Sequence, residues 1–196
     1  MHQFLLATRN PNKTREFAEI LGDAFEVRDL IDMPELPAVE ETGSTFEANA
    51  ILKAVETSKH VRGMVVADDS GLEVDALDGA PGIYSARYAG EEATDTENVT
   101  KLLAELARYP PGPHSARFRC ALALAREGAL LETFHGVVEG TIVDGPRGRG
   151  GFGYDPVFQP LGFSQTFGEL SATAKNRISH RARAIQSLSS ILAARS

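Results

Sequence analysis

The sequence predicts an α/β fold with a mixed β-sheet. The chain opens with a strand, a loop and a helix in succession, and its last segment has the apolar spacing of a helix. Between them, residues 116–144 alternate apolar and polar side chains, which predicts antiparallel strands. A length of 196 residues is enough for one sizeable core, so we expect a single domain over residues 1–196.

The first elements are two short strands with a helix between them. Gln3–Ala7 is an apolar run of strand length, and Thr8–Asn12 has the polar composition of a loop. Lys13–Leu21 has helical spacing and is followed by Gly22, a common helix terminator. Phe25–Leu30 is the second predicted strand.

A capping box predicts the second helix. Ser44-Thr45-Phe46-Glu47 places a glutamate three residues after a serine, the pattern that closes a helix N-terminus. The spacing of Phe46, Ala50 and Ala54 puts these three residues on one face of that helix.

The middle of the chain combines a buried strand, a loop and a helix. Val65–Asp68 is the strand, and Leu72–Leu77 is expected to be its short partner. Gly79–Tyr88 is a long loop. A helix begins near Asp95 and directs four apolar residues inward, namely Val99, Leu102, Leu103 and Leu106.

The last third begins with paired strands and ends in helical spacing. Glu127-Gly128 is the predicted turn between two strands, and Glu139-Gly140 is a candidate bulge or kink. From Lys175 onward the apolar residues repeat at helical spacing, at Ile178, Ala182, Ile185, Leu188 and Leu192.

Charge and composition exclude several classes of partner. The formal net charge of -7 argues against a nucleic-acid polymer, because such binding depends on broad basic surfaces. No apolar run approaches the roughly 20 residues of a membrane span, and the first residues lack the pattern of a signal peptide. The single cysteine, Cys120, alternates with Phe118 and Leu122, so we expect a buried thiol. One cysteine cannot form an internal disulfide and suits a reducing compartment, so we expect a cytoplasmic protein. We expect no membrane partner.

Two adjacent carboxylates, Asp68 and Asp69, follow the strand that starts at Val65. Carboxylates at the end of a strand lie where ligands bind in α/β folds, and they can hold a divalent cation or activate a water molecule. The alternative is that Asp68-Asp69-Ser70-Gly71 is only a turn, because these residue types are common turn formers.

The glycine-rich loop Gly145–Pro156 contains the dinucleotide fingerprint G-x-G-x-x-G. That fingerprint requires a helix directly after it, whereas the residues after Pro156 favour an extended segment, so a dinucleotide-dependent oxidoreductase is the weaker hypothesis. The loop can still bring backbone close to a flat ligand and stack Phe152 on it. Ordinary core packing is the alternative for Phe152.

A cluster of hydrogen-bond donors lies at Lys175–Arg181. Ser179 is a candidate helix cap, which would place His180 and Arg181 in the first turn with donors facing one way. The alternative is that these side chains are solvated surface residues.

Seven motifs follow one another along residues 7–181. They are Ala7–Lys13, Glu40–Gly43, Phe46–Lys53, Ala67–Leu72, Gly79–Arg87, Gly151–Pro156 and Ser179–Arg181. In this order they resemble the inosine/xanthosine triphosphate pyrophosphatases, or XTP/dITP diphosphatases, which remove deaminated purine nucleotides from the precursor pool.

The resemblance implies a fold and an activity. The expected fold is an elongated, two-lobed single domain around a long mixed β-sheet with flanking helices and an active-site cleft between the lobes. The expected reaction is Mg2+-dependent hydrolysis of ITP, dITP or XTP to the monophosphate and pyrophosphate, by a homodimer.

The resemblance also assigns the site residues. Asp69 is the expected catalytic base, and Glu41 and Asp69 are the expected metal ligands, with Glu40 and Asp68 as the less certain members of each pair. The expected substrate-binding residues are Thr8, Arg9, Asn10, Pro11, Asn12, Lys13, Lys53, Ser70, Phe152, Gly153, Tyr154, Asp155, Lys175, His180 and Arg181. By the same resemblance, the loop with Thr8, Asn10 and Lys13 holds the phosphates with Lys53 close to them, and Phe152–Asp155 form the base side of the cleft.

One position departs from the family pattern. Arg9 stands where the family's first loop usually has glycine, so either the backbone approaches the phosphates less closely or Arg9 adds a positive contact. A non-catalytic nucleotide-binding module is the remaining alternative, although such a module would need no acidic pair like Glu41 and Asp69.

Overall fold

The computed structural model describes residues 2–195 and has an α/β fold. Its strands are β1 (His2–Leu6), β2 (Phe25–Asp29), β3 (Val65–Val74), β4 (His114–Arg126), β5 (Ala129–Ile142) and β6 (Phe158–Pro160). Within the described residues they form one six-stranded sheet in the order β2-β1-β3-β4-β5-β6. Strand β1 is parallel to β2 and β3, and β6 is antiparallel to β5, so the predicted mixed sheet is confirmed.

The helices flank this sheet in the chain order expected of the class. They are α1 (Pro11–Leu21), α2 (Phe46–Ser58), α3 (Asp95–Leu106), α4 (Ala172–Ile178) and α5 (His180–Arg195). Short 3-10 turns cover Gly22–Ala24, Asp75–Leu77, Gly82–Arg87 and Asp155–Val157. Across residues 2–195, no helix has the length and apolar character needed to cross a bilayer.

The chain divides into two compact units, each made from separate stretches of sequence. The first unit runs through Asp69 and takes up Cys120–Gly136 and the chain from His180 onward. The second unit comprises Ser70–Arg119 and Val137–Ser179. The expectation of one domain over residues 1–196 stays a prediction.

Each unit has its own apolar core. The core of the first unit contains residues from β1, α1, β3, β4, β5 and α5, among them Phe4, Phe17, Val66, Leu122 and Leu188. Cys120 is one of its buried members, as the alternating pattern predicts. The core of the second unit contains Leu72, Leu102, Phe118, Phe158 and Phe167.

Helix α1 begins earlier than its apolar spacing predicts. The side chain of Asn10 accepts a hydrogen bond from the backbone nitrogen of Asn12, and Pro11 occupies the first turn, where its missing N–H costs nothing. The helix therefore starts at Pro11 rather than Lys13. Gly22 ends it with a φ of 63°, as predicted.

The N-cap of α2 differs from the predicted capping box. Thr45, not Ser44, is the cap, and its hydroxyl accepts a hydrogen bond from the backbone nitrogen of Ala48. With Thr45 as the cap, Glu47 is the second residue of the helix, and the third position, from which a glutamate could bond back to the cap, is Ala48. The predicted capping box is therefore wrong.

Strand β3 is longer than predicted and contains the acidic pair. It runs without interruption through Asp68 and Asp69 to Val74, so the turn alternative is wrong. The expected partner strand Leu72–Leu77 is also wrong, because Leu72 continues β3 and Asp75–Leu77 forms a 3-10 turn. Ion pairs compensate the two carboxylates, which allows the strand to continue through a buried region.

The hairpin between β4 and β5 follows the prediction, and the pairing of β5 with β6 beyond it is regular. Glu127 and Gly128 both have positive φ, 52° and 78°, as a tight two-residue hairpin turn requires. Gly140 pairs in regular register with Pro160 of β6, so this pairing has no bulge at Gly140, and the predicted bulge or kink at Glu139-Gly140 otherwise stays a prediction. A Cβ at Gly140 would lie 2.4 Å from the carbonyl oxygen of Gln159, so the glycine permits close approach of the two strands.

Candidate functional site

Two parallel strands bring the predicted phosphate loop and the acidic pair together just beyond the point where their pairing ends. Leu6 at the end of β1 pairs with Val66 of β3, and Asp68 follows two residues later. The loop from Thr8 to Asn10 leaves β1 at the same level and enters α1. The parallel pairing of β1 with β3 ends at Leu6 and Val66, although β3 itself continues to Val74. Ligands in α/β sheets bind where parallel strands end, so the residues just beyond this pairing form a candidate site.

Lys53 of α2 connects the predicted metal ligands. Its Nζ atom lies 2.7 Å from Oε1 of Glu41, 2.9 Å from Oδ1 of Asp69 and 2.9 Å from the carbonyl oxygen of Asp68. A lysine ammonium has three N–H donors, and these three oxygens use all of them. Burial opposes the charged form, but Asp69 and Glu41 raise the pKa of Lys53 above its ordinary value.

The carboxylate oxygens that surround Lys53 are suitable ligands for a hard divalent cation. Glu41 and Asp69 come from segments far apart in sequence, yet both contact one nitrogen, so their carboxylates are neighbours. No cluster of three or more acidic, histidine or cysteine ligands occurs in the described part of the chain. Mg2+ commonly takes only one or two protein carboxylates and completes its shell with water and substrate phosphates, so the pair fits this ion.

Asp69 is buried but retains some solvent contact. Its other carboxylate oxygen, Oδ2, accepts a hydrogen bond of 3.3 Å from the side chain of Asn49. Burial raises the pKa of Asp69 above its ordinary value, against the opposing effect of Lys53 and Lys13. A carboxylate with a raised pKa is a better proton acceptor than an ordinary one, provided that it remains ionised at the working pH.

Asp68 is engaged with cations on both carboxylate oxygens. Oδ1 lies 2.5 Å from Nζ of Lys13, and Oδ2 accepts hydrogen bonds from Nε of Arg181 at 2.8 Å and from the thiol of Cys120 at 3.3 Å. Burial opposes ionisation, but Arg181 and Lys13 hold the pKa of Asp68 well below its ordinary value. These contacts favour Asp69 over Asp68 as the metal ligand.

Lys13 and the start of α1 form the predicted phosphate side. The hydroxyl of Thr8 accepts a hydrogen bond from the backbone nitrogen of Asn10, whose side chain caps the helix through Asn12. Pro11 fixes the first turn, and Lys13 projects from it towards Asp68. A helix N-terminus with an adjacent lysine favours an anion.

Arg9 is exposed and points to another segment of the first unit. Its guanidinium donates a hydrogen bond of 2.7 Å to the carbonyl oxygen of Leu36. Leu36 lies five residues before Glu41, so this bond ties the phosphate loop to the segment that carries Glu41, one of the two predicted metal ligands. Glu40, the other member of that pair, is exposed.

Arg181 and His180 begin α5, directly after Ser179. Ser179 has an extended conformation with a ψ of 159°, which separates α4 from α5 and puts both residues in the first turn, as predicted. Arg181 is 1% exposed and contacts Oε2 of Glu16 at 2.5 Å as well as Asp68. His180 is buried too, so neither residue is a solvated surface side chain.

In the second unit, Asp155 organises the base-side residues predicted from the glycine-rich loop. Its Oδ2 atom lies 2.5 Å from Nζ of buried Lys175 and accepts a hydrogen bond of 2.9 Å from the backbone nitrogen of Phe152. Nζ of Lys175 lies 5.0 Å from the centre of the Phe152 ring, a cation–π distance. The ring of Phe152 is half-buried.

Two further contacts hold the same loop. The backbone nitrogen of Gly153 donates to Oδ2 of Asp95 at 2.7 Å, and the hydroxyl of Tyr154 donates to the carbonyl oxygen of Ser85 at 2.8 Å. Tyr154 is buried in the core of the second unit, and Ser70 is half-buried in β3.

A 3-10 turn and strand β6 follow the glycine-rich loop in place of a helix, which removes the basis for a dinucleotide site.

The structure thus groups the predicted residues within each unit. In the first unit it brings together Lys13, Glu41, Lys53, Asp68, Asp69 and Arg181. In the second unit it brings together Phe152, Asp155 and Lys175.

Several residues in these networks were not among the predicted site residues, and Glu16, Asn49 and Asp95 are the ones whose side chains pair with predicted site residues through carboxylate or amide groups. The burial of Asn49 could have been predicted from the sequence, because Asn49 follows Phe46 by three residues and helical spacing puts both on the buried face of α2. Glu16 stands next to buried Phe17, but a glutamate on a short helix is ordinarily exposed. Nothing in the sequence pattern distinguishes Asp95 from other first-turn acids.

Comparison with known proteins gives one consistent result. The profile of the Ham1 family matches residues 4–191. The dITP/XTP pyrophosphatases of Bacillus licheniformis and Bacillus subtilis are 51% and 48% identical, over 98% and 99% of this chain and 98% of each relative. A HAM1 protein from Coxiella burnetii superimposes with a TM-score of 0.87 at 43% identity, over 98% of this chain and 99% of that chain. The predicted resemblance is confirmed, and the chain belongs to the Ham1 family.

Proposed function

We propose that this protein hydrolyses the deaminated purine nucleoside triphosphates ITP, dITP and XTP to the monophosphate and pyrophosphate. The observation that carries the proposal is the convergence of Glu41 and Asp69 on Lys53, beside Lys13. The names of its relatives, dITP/XTP pyrophosphatases at about half identity over nearly the full chain, support the substrate class.

Asp69 is the proposed general base. In the proposed reaction, water attacks the α-phosphorus, the bond from the α-phosphorus to the oxygen that bridges to the β-phosphate breaks, and pyrophosphate leaves. Asp69 is suited to accept the proton of that water, because burial raises its pKa while Lys53 and Lys13 stabilise its anion. The hydrogen bond from Asn49 orients its second oxygen.

Glu41 and Asp69 are the proposed ligands of Mg2+. The bound ion would neutralise the phosphate charge and polarise the phosphoryl oxygens. Lys53 and Lys13 supply further positive charge on the phosphate side. Since all three N–H groups of Lys53 already meet oxygens, Lys53 must release one of these oxygens before it can contact a phosphate.

The proposed base selection depends on the purine 6-position. Hypoxanthine and xanthine have an acceptor oxygen there, whereas adenine has an amino group, so a donor from His180 or Arg181 aimed at this position would face another donor on ATP. The guanidinium of Arg181 already pairs with Asp68 and Glu16, so Arg181 must release one of these partners before it can contact the base. Unpaired buried polar groups can reject a wrong ligand by a factor of roughly 10⁴ to 10⁵. Phe152 is the proposed stacking partner of the base, with Lys175 completing recognition.

The decisive assay measures pyrophosphate released from ITP, dITP and XTP in the presence of Mg2+, with ATP and GTP as comparison substrates. We expect rates far higher on the deaminated nucleotides, and activity lost when EDTA removes the metal and restored by Mg2+. Equal rates on ATP and ITP would contradict the proposed substrate class.

Two substitutions separate chemistry from binding in that assay. Asp69→Asn removes the proton acceptor and should lower kcat by a factor of at least about 10². Phe152→Ala should instead raise the KM for ITP, because stacking on an aromatic ring contributes about 1–3 kcal/mol per base. Full activity in Asp69→Asn would refute its assignment as the base, and an unchanged KM in Phe152→Ala would refute stacking.

We further propose that the protein is a cytoplasmic homodimer. The homodimer is what the family resemblance implies. The single buried Cys120 suits a reducing compartment, and the acidic composition suits a small-molecule substrate rather than a nucleic-acid polymer. Light scattering after size-exclusion chromatography tests the dimer, and a monomeric mass would rule it out.

A further inference from the structure

We propose that Asn49 is a positioning residue that sets the spacing between Glu41 and Asp69. This inference rests on the proposed function, because it concerns the two carboxylates assigned to the metal. Asn49 lies on α2 with its side chain completely buried, and a buried amide is stable only when its polar atoms are paired.

Both ends of the Asn49 amide are paired, each with a different segment. Its Nδ2 atom donates to Oδ2 of Asp69 at 3.3 Å, and its Oδ1 atom accepts from the backbone nitrogen of Gly43 at 2.8 Å. The two partners fix the orientation of the amide, because a backbone N–H can only donate and an ionised carboxylate can only accept. One side chain therefore links β3 to the segment that contains Glu41.

The fit at Gly43 is close. A Cβ there would lie 2.6 Å from Oδ1 of Asn49 and 2.8 Å from Cβ of Ala48, distances that require something to move. Glycine thus permits the segment to approach α2 closely enough for the hydrogen bond. Gly43 is only two residues from Glu41, so fixing its backbone restricts the position of the Glu41 carboxylate.

Asn49 and Lys53 are one helical turn apart on α2 and have complementary contacts. Lys53 contacts Oδ1 of Asp69 and the side chain of Glu41, whereas Asn49 contacts Oδ2 of Asp69 and the backbone near Glu41. If Lys53 turns towards a phosphate, the Asn49 contacts still hold both segments. We infer that Asn49 keeps the two carboxylates in place while Lys53 changes partners.

The test uses Asn49→Leu, which keeps most of the side-chain volume and removes both hydrogen bonds. The first measurement is the affinity for Mn2+ alone, by electron paramagnetic resonance without nucleotide. Loss of a residue that orients metal ligands typically weakens metal affinity 10–100-fold, and we expect a loss in that range. In assays with ITP, the Mg2+ concentration for half-maximal activity should rise, with little change in the KM for ITP at saturating Mg2+.

Asn98→Leu is the matched control. Asn98 is a buried asparagine on α3 whose amide accepts from the backbone nitrogen of Ala89 at 2.7 Å and donates to the carbonyl oxygen of Ala86 at 3.0 Å. The substitution removes two hydrogen bonds of the same kind, but both of its partners are backbone atoms. We expect a comparable loss of thermal stability and a Mn2+ affinity within about twofold of the parent protein.

Gly43→Ala is the second variant, and it tests the same contact from the other side. Its Cβ would push the segment away from Asn49, so we expect Mn2+ affinity to fall at least tenfold. A folded Asn49→Leu protein that binds Mn2+ as tightly as the parent would overturn the proposal. If Asn49→Leu does not fold, unchanged affinity in Gly43→Ala would overturn it. Failure of the parent to hydrolyse ITP would overturn only the proposed function, since Mn2+ binding is measured without nucleotide.

Discussion

The ammonium group of Lys53 is bound by three oxygens, two of which belong to the proposed metal ligands. A divalent cation placed between Glu41 and Asp69 would therefore compete directly with Lys53 for these carboxylates. Like charges at such short distances repel strongly in a partly buried site. Binding of the cation and movement of Lys53 are thus expected to be coupled, with the substrate phosphates as the natural new partner of the lysine.

Replacement of Lys53 by methionine should separate metal binding from catalysis. Lys53→Met keeps an unbranched side chain and removes the competing charge, so we expect Mn2+ to bind at least about tenfold more tightly without nucleotide, which corresponds to 1.4 kcal/mol. Hydrolysis of ITP should nevertheless fall, because the lysine no longer assists the phosphates. Lys59→Met, at an exposed position directly after α2, is the control and should change neither quantity. Weaker Mn2+ binding in Lys53→Met would refute the competition.

At the scale of elements, α2 is the helix that holds the proposed metal ligands, through Asn49 and Lys53. An α-helix turns by about 100° per residue, so the residue at which α2 starts affects the direction in which the side chains of Asn49 and Lys53 point. Thr45 fixes the start by capping Ala48, and its neighbour Ser44 does not occupy the cap.

The two hydroxyl residues before α2 should therefore differ in their effect on stability. Thr45→Ala removes the cap and should lower the free energy of unfolding by about 1 kcal/mol. Ser44→Ala leaves the cap intact and should change it by less than about 0.5 kcal/mol. Urea denaturation followed by circular dichroism measures both. The reverse order, with Ser44→Ala the more damaging, would show that Ser44 is the cap.

At the scale of the first unit, a buried chain of alternating charges joins α1, β3 and α5. Glu16 contacts Arg181, Arg181 contacts Asp68, and Asp68 contacts Lys13. Removing one partner from a buried pair commonly costs about 3–5 kcal/mol, because it leaves an uncompensated charge. This network therefore contributes to the stability of the fold as well as to the site.

The charge network predicts a loss of stability in acid. The pKa of Asp68 is lowered in the folded protein, so its contribution is fully present above the unfolded value of about 3.9 and is lost as pH falls through the folded value. Thermal unfolding of the metal-free protein from pH 7 to pH 3 should show the Tm falling most steeply below about pH 4. Asp68→Asn should have a lower Tm at pH 7 and a smaller acid-dependent decrease. Equal pH profiles of the two proteins would contradict this account.

Much of the fold could be predicted because local patterns determine it. Apolar spacing identified α1 and α3, and the Glu127-Gly128 turn identified the hairpin of β4 and β5. The error at β3 has a physical cause. Asp-Asp-Ser-Gly has the composition of a turn, but in the folded chain it is part of a central strand whose carboxylates are compensated by ion-pair partners remote in sequence.

Part of the candidate site could also be predicted, but not the choice within each acidic pair. Adjacent residues of a strand point to opposite sides, so Asp68 and Asp69 cannot both face one ion in the same way. The strand pattern alone does not tell which of them faces Arg181 and which faces Lys53. That choice depends on α5 and α2, which are remote in sequence.

The sequence by itself determined the class of fold, the family and the chemical types of the site residues, because periodicity, turn composition and motif order are local properties of the chain. The tertiary structure decided that Asp69 and Glu41 both contact Lys53, that Asp68 is held by Lys13 and Arg181, and that Asn49 links the two acidic segments. These are contacts between residues far apart in sequence, and burial together with charge pairing in the folded chain determines which of them form.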